Sequence, residues 1–192
     1  CSFLQIKRAQ DVLSRKIPLE TVALGVEKSY NKQNDPAGRM KKERKNMGIV
    51  VIGTSFVDIK GFPEDTYIPT GRNVGRVEYI HGGVARNVVE DIANVELRPT
   101  YLSIVDDSPM GQDVLTKLRK HKVNCDHVLV RPDGLGLWLA VFDNDGDVAG
   151  SISKRPDAYP LVGLLEREGD RIFAEADSVV LQVDLHKDIV KK

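Results

Sequence analysis

Gly48-Ile49-Val50-Val51-Ile52-Gly53 is the stretch on which the fold turns. Its β-branched run between two glycines is too short for a helix and too uniformly apolar for a strand with one wet face. It predicts a strand buried on both sides, as in parallel sheets. Ser178-Val179-Val180-Leu181-Gln182-Val183 has the same texture and predicts a second buried strand, and Tyr101-Leu102-Ser103-Ile104-Val105 a further one. Between these runs the period changes. Ala85, Val88, Val89 and Ile92 recur at helical spacing, Asp106-Asp107-Ser108-Pro109 reads as a loop capping a helix over 110–121, and another helix is expected around 161–167. Strands separated by helices imply right-handed parallel crossovers, hence an α/β fold with a parallel central sheet between helical layers.

Other segments alternate more openly. Tyr67-Ile68-Pro69-Thr70 and Gly75-Arg76-Val77-Glu78-Tyr79-Ile80 predict exposed or edge strands, followed by a turn at His81-Gly82-Gly83. Residues 137–142 and 147–153 flank Asp143-Asn144-Asp145-Gly146, a sequence suited to a hairpin turn. These pieces predict an additional small β-sheet beside the main one.

Composition narrows the class. The 192 residues carry 28 basic and 28 acidic side chains, so the charges cancel, which argues against a chain built mainly to coat nucleic acid. An apolar share of 41% places it with globular proteins rather than disordered ones. Cys1 and Cys125 are the only cysteines. They make neither a disulfide framework nor a zinc cluster, and the expectation is a reducing cytoplasm. No apolar run approaches the ~20 residues of a membrane span, and no secretory leader pattern opens the sequence. The first residue is Cys1 rather than methionine, and Met40 and Met47 each precede a strand-like run, so the expected natural start is elsewhere than Cys1.

The chemistry concentrates in a few places. Gly82-Gly83-Val84-Ala85-Arg86-Asn87 lies at a junction into a helix. Paired glycines let a ligand approach the backbone, the helix start offers free N–H groups, and Asn87 adds a donor and an acceptor. The corner suits an uncharged polyol; the plainer alternative is a helix N-terminus with a glycine turn. Asp58, in Phe56-Val57-Asp58-Ile59-Lys60-Gly61, is expected just past the first buried strand, where open α/β sheets bind ligands. A carboxylate there can accept hydrogen bonds from neighbouring hydroxyls; the alternative is a surface aspartate capping a turn. Asp184 is expected to repeat that geometry past the last buried strand. Of the four histidines, His81 adjoins the corner and is within reach of a substrate, whereas His121, His127 and His186 are expected at the surface, with no metal-binding spacing among them.

In order and spacing, Gly53 through Asp58, then Gly82-Gly83 with Asn87, then Leu102-Ser103-Ile104-Val105-Asp106-Asp107 with Gly111, resemble the N-terminal half of ribokinase-like (PfkB-type) carbohydrate and nucleoside kinases. Leu181-Gln182-Val183-Asp184 is similar to that family's mid-chain strand. The resemblance covers residues 47–192. It implies a three-layer α/β/α fold with a small β lid sheet, sugar hydroxyls held by Asp58, Gly82, Gly83, Asn87 and Asp184, a homodimer formed through the lid, and a sugar or nucleoside phosphorylated with ATP and Mg2+.

The departures matter as much. The family's catalytic aspartate sits in a Gly-Ala-Gly-Asp loop, and that tetrapeptide does not occur here. The resemblance therefore implies that the catalytic residue and the nucleotide-binding half are missing from this chain, which supplies only the acceptor's positioning. Asn87-Val88-Val89-Glu90 spells the family's magnesium-associated Asn-x-x-Glu, but it falls in the sugar-site helix and is read as coincidence. Two functions follow: part of an ATP-dependent sugar or nucleoside kinase, or a catalytically incomplete sugar-binding or sensor module.

Residues 1–46 form a separate segment. Leu4, Ile6, Ala9, Val12 and Leu13 stand at helical spacing, a second helix is expected over 18–32, and 34–38 break it. Residues 39–45 then carry five basic side chains against one acid, read as a solvated linker rather than a nucleic-acid contact. Leu24-Gly25-Val26-Glu27-Lys28-Ser29 resembles the turn of a helix-turn-helix, which some of these kinases carry in front. Residues 1–33 also resemble the family's own segment after the sugar half, in which case the order of the chain is not the natural one.

Overall fold

The computed structural model describes residues 48–191. The expectations for residues 1–46 lie outside them. Eight strands and four helices follow in the order β1 (Ile49–Ile52), β2 (Phe56–Pro63), β3 (Gly75–Gly82), α1 (Val84–Asn94), β4 (Thr100–Val105), α2 (Pro109–Lys120), β5 (Val128–Val130), β6 (Gly136–Phe142), β7 (Val148–Lys154), α3 (Pro160–Ala174), β8 (Ser178–Leu181) and α4 (Lys187–Val190).

They build two sheets. The first has the order β5-β4-β1-β8, with every pairing parallel. Alternation along its strands sorts side chains to two faces. Val51, Tyr101 and Val105 pack with Val89 of α1 and with Val114, Leu115 and Leu118 of α2. Val50, Ile52 and Leu102 pack with Leu161, Leu164 and Leu165 of α3 and Ile189 of α4. Helices thus cover both faces, as the two-sided apolar reading of β1 requires. The second sheet, ordered β3-β2-β6-β7, is mixed: β2 runs antiparallel to β3 and parallel to β6, and β6 and β7 form the expected hairpin.

Local chemistry sets the boundaries of α2. The Ser108 hydroxyl accepts from Gly111 N at 3.2 Å and donates to Asp106 Oδ1 at 2.5 Å, and Pro109 opens the first turn.

Four expectations are corrected. Tyr67-Ile68-Pro69-Thr70 is a loop rather than a strand, because Asn73 folds the chain back on itself: Ile68 N donates to Asn73 Oδ1 at 2.8 Å and Asn73 Nδ2 donates to Ile68 O at 2.9 Å. Phe56–Pro63, expected as a segment beyond a strand end, is itself the strand β2 at the centre of the second sheet. His81 and Gly82 complete β3, so Gly83 alone separates that strand from α1. Finally, β8 is not buried. It pairs with β1 along one edge, and among the described residues no strand covers the other, leaving Val179 and Val180 50% and 37% exposed.

Candidate functional site

Between β1 and β2 the chain turns through Gly53, Thr54 and Ser55, at the carboxyl ends of the parallel strands. A buried polar network fixes this turn. The fully buried Tyr101 hydroxyl donates to Thr54 O at 3.1 Å and meets Ser55 Oγ at 3.1 Å, and Ser55 Oγ lies 3.4 Å from Ser103 Oγ. Burial pushes the Tyr101 phenol up to about 12, so it remains a neutral donor. From the other side, Thr54 N donates to Gln182 Oε1 at 3.1 Å, and Gln182 Nε2 donates to Thr54 Oγ1 at 3.2 Å and Asp184 Oδ1 at 2.6 Å. The ends of β1 and β8 are therefore tied to one turn, which Tyr101 and Ser103 of β4 support from within the sheet. Ser55, Tyr101, Ser103 and Gln182 were not singled out from the sequence; the detectable signal was hydroxyl-bearing residues inside or just after apolar strands.

Asp58 extends from β2 beside Gly82. In the β2–β3 register Phe56 faces Gly82 and Asp58 faces Ile80, so Gly82 is the diagonal neighbour of Asp58 on the same face. A Cβ on Gly82 would come within 2.7 Å of Asp58 Oδ1; glycine is what lets the carboxylate lie flat there. The Asp58 side chain is 20% exposed, with Lys60 Nζ 3.9 Å away. Burial raises its carboxyl above the ordinary value of 3.8, and the Lys60 charge opposes the rise. Because the folded state holds this proton more tightly than the unfolded chain, the associated stability is fully present below pH 3.8 and is lost as pH rises through the folded value. Asp58→Asn loses nothing over that range. The stability of Asp58→Asn relative to the parent should therefore grow between about pH 4 and pH 7 in urea unfolding, and a constant difference would contradict a raised carboxyl.

Gly83 joins Gly82 to α1 with φ 95° and ψ 129°, a conformation open to glycine and strained for other residues. No side chain caps α1, and Asn87 N donates back to Gly83 O at 2.9 Å. Asn87 is half-buried, with its Oδ1 accepting from Arg86 Nη1 at 3.0 Å.

A cleft of about 460 Å³ opens beside the tied strand ends, with Thr54, Phe56, Ser153, Arg155, Gln182 and Asp184 in its wall. Of the sequence-nominated residues only Asp184 lines it. Asp58 lies two residues beyond Phe56 on the same face of β2, while Gly82, Gly83 and Asn87 form the corner behind that strand. The two expected acids do not share one geometry. Asp184 follows a strand of the first sheet, whereas Asp58 sits within a strand of the second. What links them is the Thr54–Phe56 segment, since a Cβ on Gly83 would meet Thr54 O at 2.8 Å and Phe56 N at 3.0 Å.

The histidines divide differently from expectation. His81 stands opposite Val57, on the other face of the sheet from Asp58, and its Nε2 is 2.8 Å from Asp113 Oδ2 of α2. Burial and then Arg86 push its pKa down, against the pull of Asp113, so this imidazole is held towards its neutral form. His127 is not a surface residue: its side chain is 14% exposed and its Nδ1 is 3.3 Å from Glu168 Oε2. His186 is at the surface as expected, its side chain 49% exposed, and it helps wall the cleft, edge-on to Tyr159 with ring centroids 5.6 Å apart. Among the described residues no three His, Cys, Asp or Glu side chains come together to hold a metal ion.

The sequence model described as "pfkB family carbohydrate kinase" matches residues 47–189. This chain belongs to the pfkB family.

Relatives of the pfkB-family chain agree. It is 37% identical over 145 residues to the guanosine-inosine kinase of Exiguobacterium acetylicum, an alignment covering 75% of this chain and 48% of that protein. A Clostridium perfringens crystal structure assigned as a sugar kinase superposes with a TM-score of 0.68 at 27% identity, covering 77% of this chain and 47% of that one. The ribokinase of Thermotoga maritima, at 15% identity, TM-score 0.62 and coverage of 75% and 48%, shares the fold. The pfkB-family chain thus spans about half the length of these relatives. Among the described residues no helix is long and apolar enough to cross a membrane.

Proposed function

We propose that this chain supplies the acceptor-binding half of an ATP- and Mg2+-dependent kinase that phosphorylates a hydroxyl of a nucleoside or sugar. The observation that carries the reading is the Asp58–Gly82 pairing across β2 and β3. A carboxylate kept partly out of water, beside a glycine that leaves its oxygens open, can accept hydrogen bonds from two neighbouring hydroxyls. Asn87 holds a third polar group of the acceptor, Gly83 brings α1 close to it, and Asp184 contributes from the cleft wall. The role of these side chains is binding and orientation, which places a hydroxyl for in-line transfer and limits its motion. The similarity to a guanosine-inosine kinase supports a nucleoside acceptor.

The outer face of the second sheet carries a row of exposed apolar side chains, Tyr79 (62%), Leu139 (44%) and Ile152 (71%), which supports a homodimer formed there. Sedimentation equilibrium at micromolar concentration tests the dimer, and a monomer mass overturns it.

The nominated side chains bind and orient rather than react, which also fits a second reading, a module that binds a nucleoside or sugar without turning over ATP. One experiment separates the two. The full chain is incubated with Mg-ATP and guanosine, inosine or ribose, and its thermal unfolding is followed with and without each acceptor. Phosphorylated product supports the kinase reading, stabilisation without product supports the binding module, and neither effect removes both.

A further inference from the structure

Arg86 is 3% exposed, on the first turn of α1. An arginine cannot shed its charge, so its burial calls for partners and a counter-ion. Arg86 Nη1 donates to Asn87 Oδ1 at 3.0 Å and to the His81 carbonyl at 3.3 Å, Nη2 is ion-paired with Glu90 Oε2 at 2.5 Å, and Nε has no hydrogen-bond partner among the described residues. Glu90 Oε1 is in turn 3.8 Å from His121 Nε2, and His121 Nδ1 is 2.9 Å from Asn94 Oδ1. The guanidinium therefore bridges the His81 carbonyl near the end of β3, immediately before Gly82, and the side chain of Asn87. Glu90, the acid of the apparent Asn-x-x-Glu pattern, is its counter-ion.

The chemistry of this bridge has a direction. A guanidinium only donates, whereas a carboxamide has an accepting oxygen and a donating NH2. The atom of Asn87 that meets Arg86 must be the oxygen, which decides the orientation of an amide that shape alone leaves open. Among the described residues nothing hydrogen-bonds Asn87 Nδ2, so both its hydrogens remain for a ligand. We infer that Arg86 is a positioning residue that locks the Asn87 amide with its oxygen inward, so that the Gly82–Gly83 corner offers an acceptor molecule two donors from Asn87 and leaves the accepting of hydroxyl protons to Asp58. This rests on the reading that Asn87 touches the acceptor. It divides the labour at the site: a ligand oxygen is held by Asn87, and a ligand hydroxyl gives its proton to Asp58.

The test uses the full chain and three variants. Arg86→Met with Glu90→Gln removes the donors without stranding a buried carboxylate, Arg86→Lys restores one donor, and Asn87→Asp keeps an oxygen for Arg86 but deletes the NH2. In the ligand-free protein, the side-chain amide signals of Asn87, assigned by their loss in Asn87→Asp, should shift and broaden in Arg86→Met/Glu90→Gln, with partial recovery in Arg86→Lys. Signals that stay where they are in the double variant overturn the inference. In calorimetric titrations with guanosine, the double variant and Asn87→Asp should each bind about tenfold more weakly, as expected for the loss of one net hydrogen bond. A double variant that melts earlier yet binds guanosine like the parent reduces Arg86 to a structural role and overturns the inference, as does undiminished binding by Asn87→Asp. If the parent itself does not bind guanosine, the nucleoside reading of the site fails, and the ligand-free amide signals still decide the role of Arg86.

Discussion

Gly83→Val should destabilise the protein by about 3 kcal/mol or more, a fall in melting temperature of roughly 6–12 °C for a domain of this size. Two independent costs add. At φ 95° a β-branched residue is forced into a region that L-residues avoid, worth about 1–3 kcal/mol. The new Cβ would also stand 2.8 Å from Thr54 O and 3.0 Å from Phe56 N. Both are backbone atoms, and Thr54 O is pinned by the Tyr101 hydroxyl at 3.1 Å, so neither can retreat without breaking the buried network. Chemical denaturation of parent and variant measures the loss, and a variant within about 1 kcal/mol of the parent would show that the corner is pliable.

Asp58→Ala should have the opposite profile, little or no loss of stability and a large loss of ligand. Hydrogen bonds to a charged group are worth about 1.5–3 kcal/mol each, so removing a carboxylate that accepts from two hydroxyls weakens binding by about 100-fold or more. The fold does not suffer in proportion, because burial already disfavours the charged form and the Lys60 ammonium at 3.9 Å is the single ion-pair partner Asp58 has among the described residues. Stability withheld from the folded state in this way is characteristic of a group kept for binding. Titration calorimetry with guanosine, paired with thermal unfolding, reads both quantities. Affinity within threefold of the parent would remove Asp58 from the site.

The main sheet was legible because its evidence is local. Ile49–Ile52 is apolar on both faces and is covered on both, and the helices between strands carry their own period. The second sheet was only half legible. Val57, Asp58, Ile59 and Lys60 alternate as a strand should, but with so short a turn after β1 the segment reads as the loop leaving it. Tyr67 to Thr70 has strand-forming residues, yet the two hydrogen bonds between Asn73 and Ile68 close a loop instead, a side-chain competition that propensity does not register. For β8, a run of valines states what wants burial and says nothing about which neighbour supplies it. At the site, the glycines and Asp58 could be nominated by type. The Tyr101–Ser55–Ser103 network and the Arg86 bridge depend on contacts between distant strands or on how a buried side chain curls back, and composition carries no trace of either.

The polypeptide crosses between the two sheets at residues 53–55, at Gly83, at 131–135 and at 155–159. The two briefest crossings are those that press together where Gly83 abuts the Thr54 carbonyl. If the second sheet rocks against the first, the part nearest this contact travels least. Gly82 and Asn87 lie beside it, and the paired Pro63 and Gly75 lie at the far end of β2 and β3. Such a motion would move the rim of the second sheet far more than the corner at Gly82 and Gly83.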